Sequence, residues 1–168
     1  MSRPFSGEIE VDVRNSTEGV VFANGSRFGG HSLNVKDAKL KYVNNFIGLE
    51  EQMLVADDDL PEGDCTVGVS FEMENVDQEN MQANGTATVF INSNQVARKK
   101  IRTQLGAFSV AGEGFTVGGC AGAPVTPDSG GYHPWAFTGG TIKKVLVDVS
   151  GEAYIDLEME PIVGMKRD

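Results

Sequence analysis

The stretch GVVFANGSRFGGHSLNVKDAKLKYVNNFIG, Gly19 to Gly48, decides how the chain is read. Apolar residues return at every second position: Val21 and Ala23, then Leu33 and Val35, then Leu40 and Tyr42. The series is broken at Asn24-Gly25, Gly29-Gly30 and Lys36-Asp37. Side chains on a strand alternate between its two faces, so the stretch spells half-buried antiparallel strands joined by turns. From Gly19 to Gly139 the chain continues in short strands and Gly-rich turns, with no stretch suited to a long helix.

Working outward, Gly7 to Val13 predicts an opening strand with Ile9, Val11 and Val13 on one face and Glu8, Glu10 and Asp12 on the other. Downstream, Glu51 to Val55 is followed by an acidic turn, Asp57-Asp58-Asp59, closed by Pro61 and Gly63. Cys65 to Met73 then carries Val67, Val69 and Phe71 inward. An Asn-rich loop is expected from Val76 to Asn84. Thr86 to Ile91 and Gln95 to Arg102 form a hairpin through Asn92-Ser93-Asn94. Phe115 to Gly118 is a short strand. The loop from Gly119 to Gly139 holds three prolines and Tyr132-His133-Pro134-Trp135, and a loop that long is either functional or plugged into the core. Thr141 to Val149 closes the sandwich. About ten to twelve strands without helices imply two antiparallel sheets packed face to face, an all-β jelly roll. Residues 1–150 form that single domain, and residues 151–168 a C-terminal tail.

The 168 residues suffice for one domain, which at this size buries roughly 70% of its unfolded surface without metal or disulfide staples. A net charge of -10 repels phosphate backbones and anionic lipids, and the one basic cluster, Arg98-Lys99-Lys100 with Arg102, is short. Neither nucleic acid nor a membrane is an expected partner. The N-terminus MSRPFSGEIE lacks a signal-peptide form, so a cytoplasmic location is favoured. Cys65 and Cys120 sit in no ligand spacing and are read as two buried thiols, with one bridge as the alternative. Asn15-Ser16-Thr17, Asn24-Gly25-Ser26 and Asn84-Gly85-Thr86 match the glycosylation pattern but are read as turns.

The Gly19–Gly48 segment also resembles the C-terminal β-sandwich of bacterial arylsulfatases, in which G-V-[hydrophobic]-x-A-x-G-x-R-F-G-G-x-S-L-x-V-K-D-x-K-L-x-Y-x-x-N-x-x-G follows the catalytic domain. The likeness covers nearly the whole chain. It continues through Asn84 to Ile91, Phe108 to Gly118, Pro124-Val125, the run from Tyr132 to Ile142, and the closing Tyr154-Ile155-Asp156-Leu157-Glu158. It departs at Gly118-Gly119-Cys120-Ala121-Gly122, where the family usually shows glycine followed by Arg-Asp. The resemblance implies a sandwich of the concanavalin-like and laminin-G class, and an accessory role beside a sulfatase catalytic domain in cis or in trans.

It implies no catalysis by this chain alone. Sulfatases need Cys or Ser two residues before a proline and Arg two after, as the precursor of their formylglycine nucleophile. Of the six prolines only Pro4 has a Ser two places before it, and Ser6 stands where Arg is required. The rival enzyme reading is a glycoside hydrolase: Glu8-Ile9-Glu10-Val11-Asp12 echoes the E-x-D-x-E strand of lectin-like glucanases. A retaining site needs two carboxyls about 5 to 5.5 Å apart across the scissile bond. The carboxylate order is altered here, no tryptophan adjoins, and the outer face of a terminal strand accounts for the same residues. A sugar-binding module is the remaining alternative, with Tyr132, His133 and Trp135 as an apolar platform for sulfated or neutral glycans. The same three residues also suit a loop folded back to plug the sandwich. Asp57, Asp58 and Asp59 are adjacent rather than alternating, His31 and His133 are too few for zinc, and Gly112-x-Gly114 and Gly118-Gly119 precede no helix. No metal or cofactor is expected.

Overall fold

The computed structural model describes residues 4–105 and 113–149. The 151–168 tail, the Phe108–Gly112 part of the arylsulfatase pattern and Pro161 lie outside the described residues. Ten strands are described: β1 Phe5–Val13, β2 Gly19–Ser26, β3 Gly29–Lys36, β4 Lys39–Phe46, β5 Glu50–Val55, β6 Gly63–Asp77, β7 Gln82–Ile91, β8 Asn94–Gln104, β9 Glu113–Val117 and β10 Thr141–Asp148. They form two antiparallel five-stranded sheets, ordered β10-β1-β6-β7-β8 and β5-β4-β3-β2-β9.

The sheets enclose one main core, in which Ile9, Val11, Leu33, Leu40, Tyr42, Val67 and Phe71 are fully buried. β1 keeps the expected alternation, with Ile9, Val11 and Val13 inward and Glu8 and Glu10 exposed. Small residues on β7 make the matching hollow for large ones on β6: Ala83, Gly85 and Ala87 stand opposite Val76, Met73 and Phe71. A Cβ on Gly85 would lie 2.2 Å from the Glu72 carbonyl oxygen and 2.7 Å from the Phe71 ring, so only glycine fits.

β2 departs from simple alternation. A bulge between Val20 and Phe22 puts both Val21 and Phe22 into the core, while Val20 and Ala23 point to the opposite face of the sheet. Val21 and Ala23 therefore do not share a face. That opposite face is not wet either, because the 119–139 loop lies across it. Val125 and Trp135 pack on Val20 and Ala23, Asn45 Nδ2 donates to the Val125 carbonyl at 2.8 Å, and Thr126 Oγ1 donates to Glu51 at 2.8 Å. Asp128 takes Lys36, and Lys41 at 3.3 Å. The Lys36 hydrogen bond holds the Asp128 carboxyl below its ordinary range. The loop comes so close to β2 that a Cβ on Gly19, at φ 110°, would meet the Ala136 carbonyl at 2.1 Å.

The turns correct several boundaries. The β2–β3 turn is Arg27-Phe28, with Gly25 paired to Gly30 in the ladder rather than forming the turn. Asn84-Gly85 lies inside β7. The region expected as an Asn-rich loop is mostly strand, β6 running to Asp77 and β7 starting at Gln82. Asn92-Ser93, with φ of 49° and 64°, and Asp37-Ala38, with φ of 54° and 58°, are the left-handed residue pairs that two-residue hairpins require. Cys65 and Cys120 are both buried and are not joined to each other, and burial pushes the Cys65 thiol up.

The two sides of the sandwich close differently. On the β8/β5 side, the buried Gln52 amide pairs with the edge of β8, donating to the Arg102 carbonyl and accepting from the Arg102 N–H, each at 2.8 Å. Asn44 Nδ2 adds a 2.9 Å bond to the same carbonyl. An edge strand's spare backbone groups are thus satisfied across the sheets. On the β9/β10 side Phe115 and Val147 are exposed.

Candidate functional site

The carboxylates of β1 come together only as a row on the outer face of their sheet. Glu8 faces Gly68 and Leu146, Glu10 faces Thr66 and Lys144, and Asp12 faces Asp64 and Thr141. Glu10 is 3.6 Å from Lys144 and Asp12 3.9 Å from Arg14. None of the three lines a depression described below. Asp57, Asp58 and Asp59 form an exposed bend, Asp59 pairing with Lys39 at 2.9 Å. Among the described residues no group of three His, Cys, Asp or Glu side chains gathers as metal ligands.

The three loop residues are split in role. Tyr132 is 93% exposed. His133 Nε2 is 2.9 Å from the Ala121 carbonyl, and its ring meets Trp135 edge-on at 5.2 Å. Trp135 is half-buried against Val20, Ala23 and Val125, and its carbonyl accepts from the Val20 N–H at 2.9 Å. The indole is therefore a pin that holds the loop down, and the three side chains do not form one flat platform.

A different constellation surrounds Arg102 on β8. Its register places Gln104, Arg102 and Lys100 opposite Gln82, Asn84 and Thr86 of β7. The guanidinium lies 4.3 Å from the centre of the Phe46 ring. It donates to Glu50 through two nitrogens, at 2.8 and 3.1 Å, and reaches Gln82 Oε1 at 3.4 Å. One depression of about 610 Å³ lies on the Gln104 side of this arginine, floored by Phe46, Ile47 and Met81 and rimmed by Asn80 and Gln82. A second, of about 500 Å³, lies on the Lys100 side among Glu50, Glu74, Asn75 and Asn84. Glu74 accepts from Thr86 Oγ1 at 2.7 Å and from Lys100 at 3.2 Å, bonds that hold its carboxyl below the ordinary range.

The result is a groove with an apolar floor at one end, fixed amide donors and acceptors along its rim, and charges of both signs held in place. Such a surface suits a neutral polar ligand with many hydroxyls, or one with a few anionic groups. Sequence reasoning noticed Arg102 only as part of a basic cluster. The missed signal is the alternation Arg98, Lys100, Arg102, which sets three cations on one face of a strand.

No protein-family model matches the chain, and no curated protein matches it. Among solved structures it is similar to the mouse laminin alpha1 chain, domains LG4-5, with a TM-score of 0.55 and 10% identity over 90% of this chain. The chain spans 37% of that structure's length. At such identity the likeness concerns the fold: two antiparallel sheets in a laminin G-like, concanavalin-like β-sandwich.

Proposed function

We propose that this chain is a non-catalytic recognition module that holds a glycan, neutral or sulfated, along the groove crossed by Arg102. The observation that carries the reading is the Arg102 guanidinium itself, stacked on Phe46 with its Nε and Nη2 on Glu50, so that its remaining N–H groups are held in place between two polar-rimmed depressions. Fixing that side chain in advance removes an entropic cost that a free arginine meets on binding. Titration calorimetry with matched neutral and sulfated oligosaccharides tests it. Saturable binding that weakens at least about tenfold in Arg102→Ala supports the reading. Absence of binding, or binding indifferent to the substitution, refutes it. The reading gives Glu8, Glu10 and Asp12 no catalytic part, so β-glucan hydrolysis should stay at background in both the wild type and Glu8→Gln.

A second reading, an accessory domain packed on a sulfatase catalytic domain, rests on the arylsulfatase resemblance and on one surface feature. Phe28, Ile47 and Leu49 are exposed at 52%, 37% and 78% on the β2–β3 and β4–β5 turns, which Asn45 ties together through the Arg27 carbonyl at 3.2 Å. Contiguous apolar tips of this kind suit a protein contact. Leu49→Asp should weaken co-purification with a sulfatase catalytic domain supplied in trans. Absence of any association with such a domain removes this reading and leaves the glycan reading standing.

A further inference from the structure

A cavity of about 250 Å³ opens on the β9/β10 side, between β1 and β10 of one sheet and β2 and β9 of the other. Gly7 creates it. On β1 the inward positions are Phe5, Gly7, Ile9, Val11 and Val13, and the glycine leaves one place in that row without a side chain. A Cβ built there has only Phe22 Cε1 near it, at 3.7 Å, ordinary van der Waals contact. The walls are aromatic: Phe5 lies 4.9 Å from the His31 ring, and Phe22 and Phe115 stack at 5.5 Å. An apolar cavity of about 150 Å³ already accommodates benzene, so this one has room for a substituted ring.

Two polar residues line the cavity, Asn24 and His31, and His31 is the buried one. His31 is 5% exposed, and its Nε2 has no hydrogen-bond partner among the described residues. Its Nδ1 lies 3.4 Å from the Tyr42 hydroxyl, at the long end for such a bond. A neutral imidazole has one N–H donor and one bare acceptor, and a hydroxyl can answer either. A carboxylate or ammonium ligand would lose its hydration among these phenylalanines without a counter-charge. Native proteins seldom leave a buried polar atom unanswered, and here the unanswered atom belongs to a ring lining an apolar cavity that can be reached from outside.

We infer that this cleft is a second binding site, independent of the Arg102 groove, for a small uncharged aromatic molecule bearing one hydroxyl, of the size of an alkylphenol, with its ring among Phe5, Phe22 and Phe115 and its hydroxyl on His31 Nε2.

The test compares p-cresol with toluene, which differ by that hydroxyl alone, on the full chain by NMR titration. Both should saturate, p-cresol about tenfold more tightly, the worth of one buried hydrogen bond. In His31→Phe the preference for p-cresol should vanish while toluene still binds. In Gly7→Val, where the added side chain fills the space, both should be lost with the amide spectrum otherwise retained. If that variant fails to fold, Gly7→Ala, whose Cβ the structure accommodates, should weaken both. Failure of both probes to bind the wild type overturns the proposal. A p-cresol preference that survives His31→Phe, or binding unaffected by filling at Gly7, also overturns it.

Discussion

Replacing His31 should remove a pH dependence that the wild-type fold carries between pH 5 and 7. Burial among Phe5, Phe22 and Tyr42 drives the His31 pKa down to about 3 from its ordinary value of 6.5. Tyr42, the titratable group facing it, is pushed up by burial and stays protonated throughout this range. As pH falls through 6.5 the unfolded chain takes up a proton on this residue, whereas the folded chain does not until about pH 3. The unfolded state therefore binds more protons in that window, and stability declines as pH falls. Integrating from pH 7 to pH 5 gives a loss of about 2 kcal/mol from this one side chain. Asp77, Glu74 and Asp128 are held below their ordinary carboxylate values and titrate mostly beneath the window. Urea unfolding at pH 7, 6 and 5, followed by the fluorescence of the single tryptophan, should show the loss in wild type and not in His31→Phe. Equal slopes in the two proteins would refute the reasoning, because they would mean that the folded His31 takes up its proton as readily as the unfolded one.

Three further outcomes follow from the packing. Gly85→Ala should destabilise by about 3 kcal/mol or more in urea titration, since its Cβ meets backbone oxygen and a core ring that cannot both move aside. Gln52→Leu should lose about 1 to 3 kcal/mol and raise hydrogen exchange at the Arg102 amide, which is left without its acceptor. Trp135→Ala should lower stability by about 2 kcal/mol by unpinning the 119–139 loop from Val20 and Ala23, while leaving glycan titration unchanged. A selective loss of sugar binding in that variant would return the site to Tyr132, His133 and Trp135.

Alternation was legible wherever one face of a strand is wet, as on β1, where Glu8 and Glu10 mark the solvent side between Gly7, Ile9 and Val11. It failed on β2, because a strand buried on both faces reads as a continuous apolar run and a bulge shifts its phase. Asn84-Gly85 reads as a turn when only local preference is weighed. What places glycine there is the Phe71 ring across the ladder, a constraint from more than ten residues away. Tyr132, His133 and Trp135 were visible as unusual residues, but whether an indole faces solvent or a sheet depends on the loop's path. The Arg102 groove draws Phe46, Gln82 and Arg102 from three separate segments, joined by the β7–β8 register and by the closure of β5 on β8. Nothing in local spacing announces such a meeting.

Amide chemical-shift mapping of the labelled full chain during titration with a sulfated oligosaccharide bears most directly on the recognition role. The changes should concentrate at Glu50, Asn80 to Asn84 and Lys100 to Arg102, and should fade in Arg102→Ala. A spectrum that does not move, or one that moves only around Tyr132 to Trp135, would contradict it.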